Sequence, residues 1–108
     1  MVFSDDLDWC NEQEFLDGDR FLLSENHVTY SNKIKLGDGT FQHSIVPHWD
    51  LCLMTMCKGA IIANSSMSWW GAWLQNNAGT VVAPKTWLGK AYSHLNMSDV
   101  TPDRWVKI

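Results

Sequence analysis

The residues best able to do chemistry lie in short turns. Asn64-Ser65-Ser66 follows the apolar run Ala60-Ile61-Ile62-Ala63 and leads into Met67-Ser68-Trp69-Trp70. Asn and Ser are preferred helix N-caps, and the first amides of the helix they open lack intrahelical partners. Such a turn either caps its own helix with a serine hydroxyl or presents those amides to an anion. Ser4-Asp5-Asp6 adds carboxylates and Pro84-Lys85 adds a cation. Amides, hydroxyls, carboxylates and a cation together suit a nucleotide-linked phosphate better than a metal ion or a hydrolytic triad.

Competing chemistries find less support. A Ser/His/Asp hydrolase needs a nucleophile elbow such as Gly-x-Ser-x-Gly, which the sequence lacks. His27, His43, His48 and His94 are scattered through segments read as loops, where exposure is the ordinary state. Asn64-Ser65-Ser66 and Asn96-Met97-Ser98 both match the N-glycosylation sequon. The first sits at the end of an apolar strand and the second has no secretory context, so both are discounted. Trp69, Trp70 and Trp73 recur at helical spacing, which favours a core stripe over a sugar platform.

The elements that position these turns follow from the apolar pattern. Asp5, Asp6 and Asp8 precede an imperfect stripe of Leu7, Cys10, Phe15 and Leu16, which predicts a helix over residues 6–16 ended by Asp17-Gly18-Asp19. Phe21-Leu22-Leu23 and Val28-Thr29-Tyr30 are short strand candidates around a turn at Glu25-Asn26. Residues 31–47 predict a loop, with room for a small hairpin around Gly37 and Gly39. From Trp49 to Cys57 apolar residues occupy nearly every face, as in a helix packed between a sheet and another element, with Asp50 near its start.

The strand at 60–63 then gives way to a helix from about Met67 to Asn76, closed by Asn77-Ala78-Gly79. Thr80-Val81-Val82-Ala83 is a second strand stopped by Pro84, and 102–108 a short closing one. Strand, helix, strand with short connections predicts a right-handed crossover and a parallel α/β sheet covered on both faces. Ligands bind beyond the carboxyl ends of such strands. That places Ser4-Asp5-Asp6, Asn64-Ser65-Ser66 and Pro84-Lys85 on one edge.

Composition bounds the reading. A chain of 108 residues holds one domain, and a 45% hydrophobic fraction with seven tryptophans marks it as globular, with more apolar surface than one small core absorbs. A formal charge of −4 without a basic run argues against nucleic acid as a polymer ligand. Cys10, Cys52 and Cys57 show no metal-ligand spacing and read as reduced, buried hydrophobes. No apolar run is long enough to span a bilayer, and the start lacks the features of a signal peptide. The opening Met1-Val2-Phe3-Ser4 reads as the end of a buried strand, as though the chain begins inside a domain.

Three stretches carry a family resemblance. Asp50-Leu51-Cys52-Leu53-Met54-Thr55-Met56-Cys57-Lys58, the segment from Ile61 to Leu74, and Val82-Ala83-Pro84-Lys85-x-Trp87 resemble the C-terminal region of family 11 glycosyltransferases, the alpha-1,2-fucosyltransferases. Phe3-Ser4-Asp5-Asp6 and Pro102-x-x-Trp105 are similar to the same family. The resemblance implies residues 1–108 as one incomplete, Rossmann-like GDP-fucose-binding domain, the C-terminal half of a GT-B enzyme. It implies inverting transfer of fucose from GDP-fucose to the 2-hydroxyl of a galactose-type acceptor, without metal or other cofactor. Asp50 would accept from the guanine N1 and N2 donors. Ser65, Ser66 and the helix amides would hold the diphosphate, with Asn64 and Met67 in the same donor set, and Ser4 and Asp5 would border the nucleoside.

Departures from the family pattern shape the expectation. Met67 stands where Phe is more usual, Gly59 replaces a common His, and the 31–47 loop is long. The family's arginine motif, which pairs with the diphosphate, and its acceptor-binding half lie upstream, so the 108-residue chain is expected to show no transferase activity alone. Its expected partners are a nucleotide sugar, a glycan acceptor and the N-terminal half of the same enzyme. The parent would be cytoplasmic if bacterial, or Golgi-membrane-bound if animal. The alternatives are a non-catalytic nucleotide- or partner-binding module on the same scaffold and a folding unit without a ligand.

Overall fold

The computed structural model describes residues 1–24, 32–35, 37, 41–44, 47–75 and 79–108. They fall into two compact units, Met1–Asp50 and Leu51–Ile108.

In the first unit the chain opens with Val2 bridged in parallel to Leu23. Val2 N–H donates to the Leu22 carbonyl at 2.7 Å and Ser24 N–H to the Val2 carbonyl at 2.8 Å. Helix α1, Leu7–Asn11, starts where Asp6 caps it, its carboxylate accepting from Trp9 N–H at 2.9 Å. The helix expected over 6–16 is broken. Gln13 is extended, and only a 3₁₀ turn, Glu14–Leu16, follows. At the break the Trp9 carbonyl accepts from Glu12 N–H at 3.2 Å and from the Gln13 carboxamide at 3.0 Å, while Gln13 N–H donates to the Cys10 carbonyl at 3.2 Å. Gly18 then turns the chain with φ of 102°.

Strands β1, Asn32–Lys35, and β2, Phe41–Ser44, form an antiparallel hairpin with Asn32 opposite Ser44 and Lys35 opposite Phe41. This is the small hairpin allowed by the two glycines. The strand expected at 28–30 and the turn at Glu25-Asn26 lie outside the described residues. Helix α2, Pro47–Met56, carries the boundary between the units. Proline suits its first position, where a missing N–H breaks no helical bond.

The second unit is built on a three-stranded sheet of β3 (Ala60–Ile61), β4 (Val81–Ala83) and β5 (Val106–Lys107), in that order and all parallel. Helix α3, Ser66–Trp73, connects β3 to β4. The α/β class and the parallel pairing are as the sequence predicts. Ile62, Ala72, Val81, Ala83 and Trp105 make the core, with Ala60, Trp69 and Trp87 packed against it. Trp69 stacks on Trp73 at 5.1 Å, meets Trp105 at 5.8 Å, and donates its indole N–H to the Val100 carbonyl at 2.6 Å. Gly71 admits α2: a Cβ there would stand 2.8 Å from the Cβ of Met54.

Three expectations fail here. Helix α3 ends at Trp73 with Leu74 as its cap, short of Asn76, while most of the expected Asn77-Ala78-Gly79 stop lies outside the described residues. The cysteines differ: Cys10 is buried, Cys57 half-buried and Cys52 exposed, and none is in a disulfide. And one face of the sheet is open. The pairing sets Ile61, Val82 and Val106 in a row opposite the buried Val81 and Ala83, yet Ile61 is 85% exposed and Val106 48%. The apolar surplus is also visible in Trp9, Trp49, Trp70 and Trp73, all exposed. Among the described residues no helix is long and apolar enough to cross a membrane.

Candidate functional site

The carboxyl ends of β3 and β4 bring two of the expected turns to one sheet edge. After β3, Asn64-Ser65-Ser66 is exposed and α3 begins at Ser66. Ser65 is the N-cap, in extended conformation at φ −128° and ψ 130°, and its side chain makes no capping bond. Ser68 Oγ donates to the carbonyls of Ala63 at 3.2 Å and Ser65 at 3.0 Å. Of the two readings of this turn, self-capping therefore does not hold. The first amides of α3 remain for an external acceptor, with the positive end of the helix dipole behind them.

Asn64 reaches across to the neighbouring loop. Its side-chain Nδ2 donates to the Thr86 carbonyl at 2.7 Å and to the Trp87 carbonyl at 2.6 Å. Both amide hydrogens thus go to the loop that follows β4. The nitrogen that the sequon would glycosylate is the one engaged. The same loop is anchored again where Lys85 N–H donates to the Ile108 carbonyl at 2.7 Å and Ile108 N–H to the Ala83 carbonyl at 3.0 Å. The Lys85 side chain is exposed, and Met67 is half-buried in the first turn of α3.

Ser4-Asp5-Asp6 does not share that edge by strand order. Val2 pairs with Leu23 in the first unit, so the turn follows no strand of the β3-β4-β5 sheet. The missed feature was Leu23: Phe21-Leu22-Leu23 and Met1-Val2-Phe3 are each short and apolar, and nothing in their patterns marks them as partners. Ser4 Oγ accepts from Asp6 N–H at 3.0 Å and Asp6 caps α1, so both are engaged in shaping the turn, while Asp5 is exposed.

Asp50, on α2, is buried at 8% exposure. Its Oδ1 accepts from the hydroxyl of Ser24, also buried, at 2.5 Å. Sequence reading missed Ser24, whose only signal is a polar residue directly after Phe21-Leu22-Leu23. Asp50 has a further interaction besides this one.

The parallel sheet of this α/β unit opens at its carboxyl edge onto a helix start without a side-chain cap bond. The chain matches the family model described as glycosyl transferase family 11 over residues 1–108, and it belongs to that family. It is 38% identical over 110 residues to an alpha-1,2-colitosyltransferase of Escherichia coli, an alignment that takes in all of this chain and 32% of that protein. It is 33% identical over 109 residues to the O-antigen biosynthesis glycosyltransferase WbnK of Escherichia coli, covering all of this chain and 30% of that one. The chain thus spans about a third of the length of these relatives. No solved structure matches it.

Proposed function

We propose that the chain is the donor-binding part of a family 11 fucosyltransferase, the Rossmann-like half of a GT-B enzyme that moves fucose from GDP-fucose to the 2-hydroxyl of a galactose-type acceptor. The observation that carries the reading is the start of α3, with Ser65 as an N-cap that makes no cap bond. Open amides there, with the hydroxyls of Ser65 and Ser66, suit the diphosphate. Lys85 supplies a positive charge from the loop after β4. Asp50 is assigned the guanine N1 and N2 donors, a pairing adenine cannot offer, and Asp5 a place at the nucleoside.

The chemistry follows from charge. As the bond from the fucose anomeric carbon to the diphosphate stretches, negative charge grows on the leaving group. Preorganised amides and hydroxyls stabilise that charge more than they stabilise the bound donor, which lowers the barrier to transfer. The acceptor hydroxyl attacks from the opposite face, giving inversion. No metal is needed where amides and a lysine meet the diphosphate.

The 38% identity to a colitosyltransferase favours a second sugar on the same site. Colitose lacks one hydroxyl that fucose carries, a change at the sugar that leaves the GDP contacts alone. The open row of Ile61, Val82 and Val106 favours a different alternative, a non-catalytic module that binds a partner on its sheet.

Calorimetric titration of the purified chain with GDP and ADP tests the reading. GDP is expected to bind and ADP to bind more weakly. Asp50→Ala, which removes a charged acceptor, is expected to weaken GDP by about 10- to 100-fold and leave ADP nearly unchanged. Equal affinity for GDP and ADP, or an Asp50→Ala variant that binds GDP normally, would overturn the guanine assignment. Transfer of fucose by the 108-residue chain alone would overturn its reading as a part that needs the rest of the enzyme.

A further inference from the structure

We infer that Asn64 is a positioning residue: its carboxamide ties the turn after β3 to the loop after β4 and so fixes the loop bearing Lys85 against the anion-binding turn. The inference rests on the diphosphate reading of α3. It departs from the direct donor contact that the family resemblance implies for Asn64.

The geometry is specific. A carboxamide nitrogen carries two hydrogens, and both are used on successive carbonyls, Thr86 at 2.7 Å and Trp87 at 2.6 Å. Those carbonyls lie in the loop 22 and 23 residues further along, and Asn64 immediately precedes the N-cap Ser65. One side chain therefore joins the two turns at the carboxyl edge of neighbouring parallel strands. Trp87 packs on the core and Lys85 N–H is held by the Ile108 carbonyl, so the loop has three anchors, of which Asn64 alone reaches the turn that opens α3. Asn64 is exposed, so the two bonds are not the by-product of burying an amide in the core. No other proteinogenic side chain of this size offers two hydrogens from one nitrogen. Aspartate has the shape but only acceptors, which would face two carbonyl oxygens.

Asn64→Asp is the discriminating variant, with circular dichroism to establish that the fold is kept. Without ligand, hydrogen–deuterium exchange of the amides at 86–88 is expected to rise about tenfold while those of β4 stay protected. Unchanged exchange at 86–88 would overturn the clamp, whatever the chain binds. With GDP, a double-mutant cycle with Lys85→Ala separates positioning from contact. Asn64→Asp is expected to weaken GDP about five- to tenfold in the natural background and less than twofold once Lys85 is alanine. Equal losses in both backgrounds would show that Asn64 does not act through Lys85, and would sink the inference. If the unaltered chain binds no GDP, the diphosphate reading fails and the positioning of Lys85 for it fails too, while the exchange result still decides whether the clamp exists.

Discussion

The two units solve the same problem with different materials. Leu51–Ile108 has a parallel sheet, a helix laid on it and a contiguous apolar core of Ile62, Ala72, Val81, Ala83 and Trp105. Among the described residues of Met1–Asp50 those buried are Cys10, Ser24 and Asp50, one small thiol and a hydrogen-bonded polar pair. Apolar burial is non-directional and tolerates some imprecision, whereas a buried hydroxyl–carboxylate pair contributes only while both partners stay in place. Among the described residues, then, the second unit is held by area and the first by geometry. Damage to the core should be large and spread through the sheet. Damage to the polar pair should be smaller and confined.

Trp105→Ala is the strongest way to break that contrast. Trp105 is 4% exposed and its ring meets Trp69, so truncation leaves a cavity under α3. A loss of about 3–5 kcal/mol is expected from urea unfolding followed by far-UV circular dichroism. Exchange protection should fall at 60–62 and 81–83 and persist at Ser24 N–H. Equal loss in both units would erase the distinction drawn here.

Gly59→Ala acts on the same unit through the backbone. A Cβ at that position would lie 2.6 Å from the Thr80 carbonyl oxygen, which itself accepts from Ala60 N–H at 3.0 Å. No side chain can swing aside to relieve that contact, so the first bond between β3 and β4 must shift. The expected cost is about 2–3 kcal/mol, read from the same unfolding curve. A neutral Gly59→Ala would mean that this end of the sheet is looser than its hydrogen bonds imply.

The strong apolar signals were legible in the sequence. Ala60-Ile61-Ile62-Ala63 and Val81-Val82-Ala83, separated by a helix, could pair only in parallel with so short a crossover, and the structure shows that pairing. The hairpin allowed around the two glycines was similarly local, whereas Pro47, read with the preceding loop, opens the helix instead. What escaped was decided by single hydrogen bonds. At the break in the first helix the Trp9 carbonyl accepts from the Gln13 side chain, while Gln13 N–H donates to the Cys10 carbonyl. The Ser24–Asp50 pair joins residues 26 positions apart, and no periodicity encodes it. At the candidate site, residue types in Asn64-Ser65-Ser66 told of an anion or a cap. They did not tell that Ser65 leaves the cap open while Asn64 reaches across to the next loop. Strand patterns report burial, and burial does not specify which polar atom meets which.

Ser24→Ala sharpens the comparison from the other side. It deletes the hydroxyl that donates to Asp50 Oδ1 at 2.5 Å and leaves a buried carboxylate with one donor fewer. Because Asp50 has other interactions besides this one, the expected cost is toward the lower end for a bond to a charged group, about 1–2 kcal/mol. The loss should appear in the exchange of residues 2 and 24, whose backbone bonds bracket the serine, and leave β3 and β4 unchanged. The mechanism is checked in the Asp50→Asn background, where the carboxylate charge is gone and the hydroxyl matters less. There Ser24→Ala should cost under half as much. If it costs the same in both backgrounds, Ser24 stabilises the unit by packing alone, and the first unit would be held by area after all, like the second.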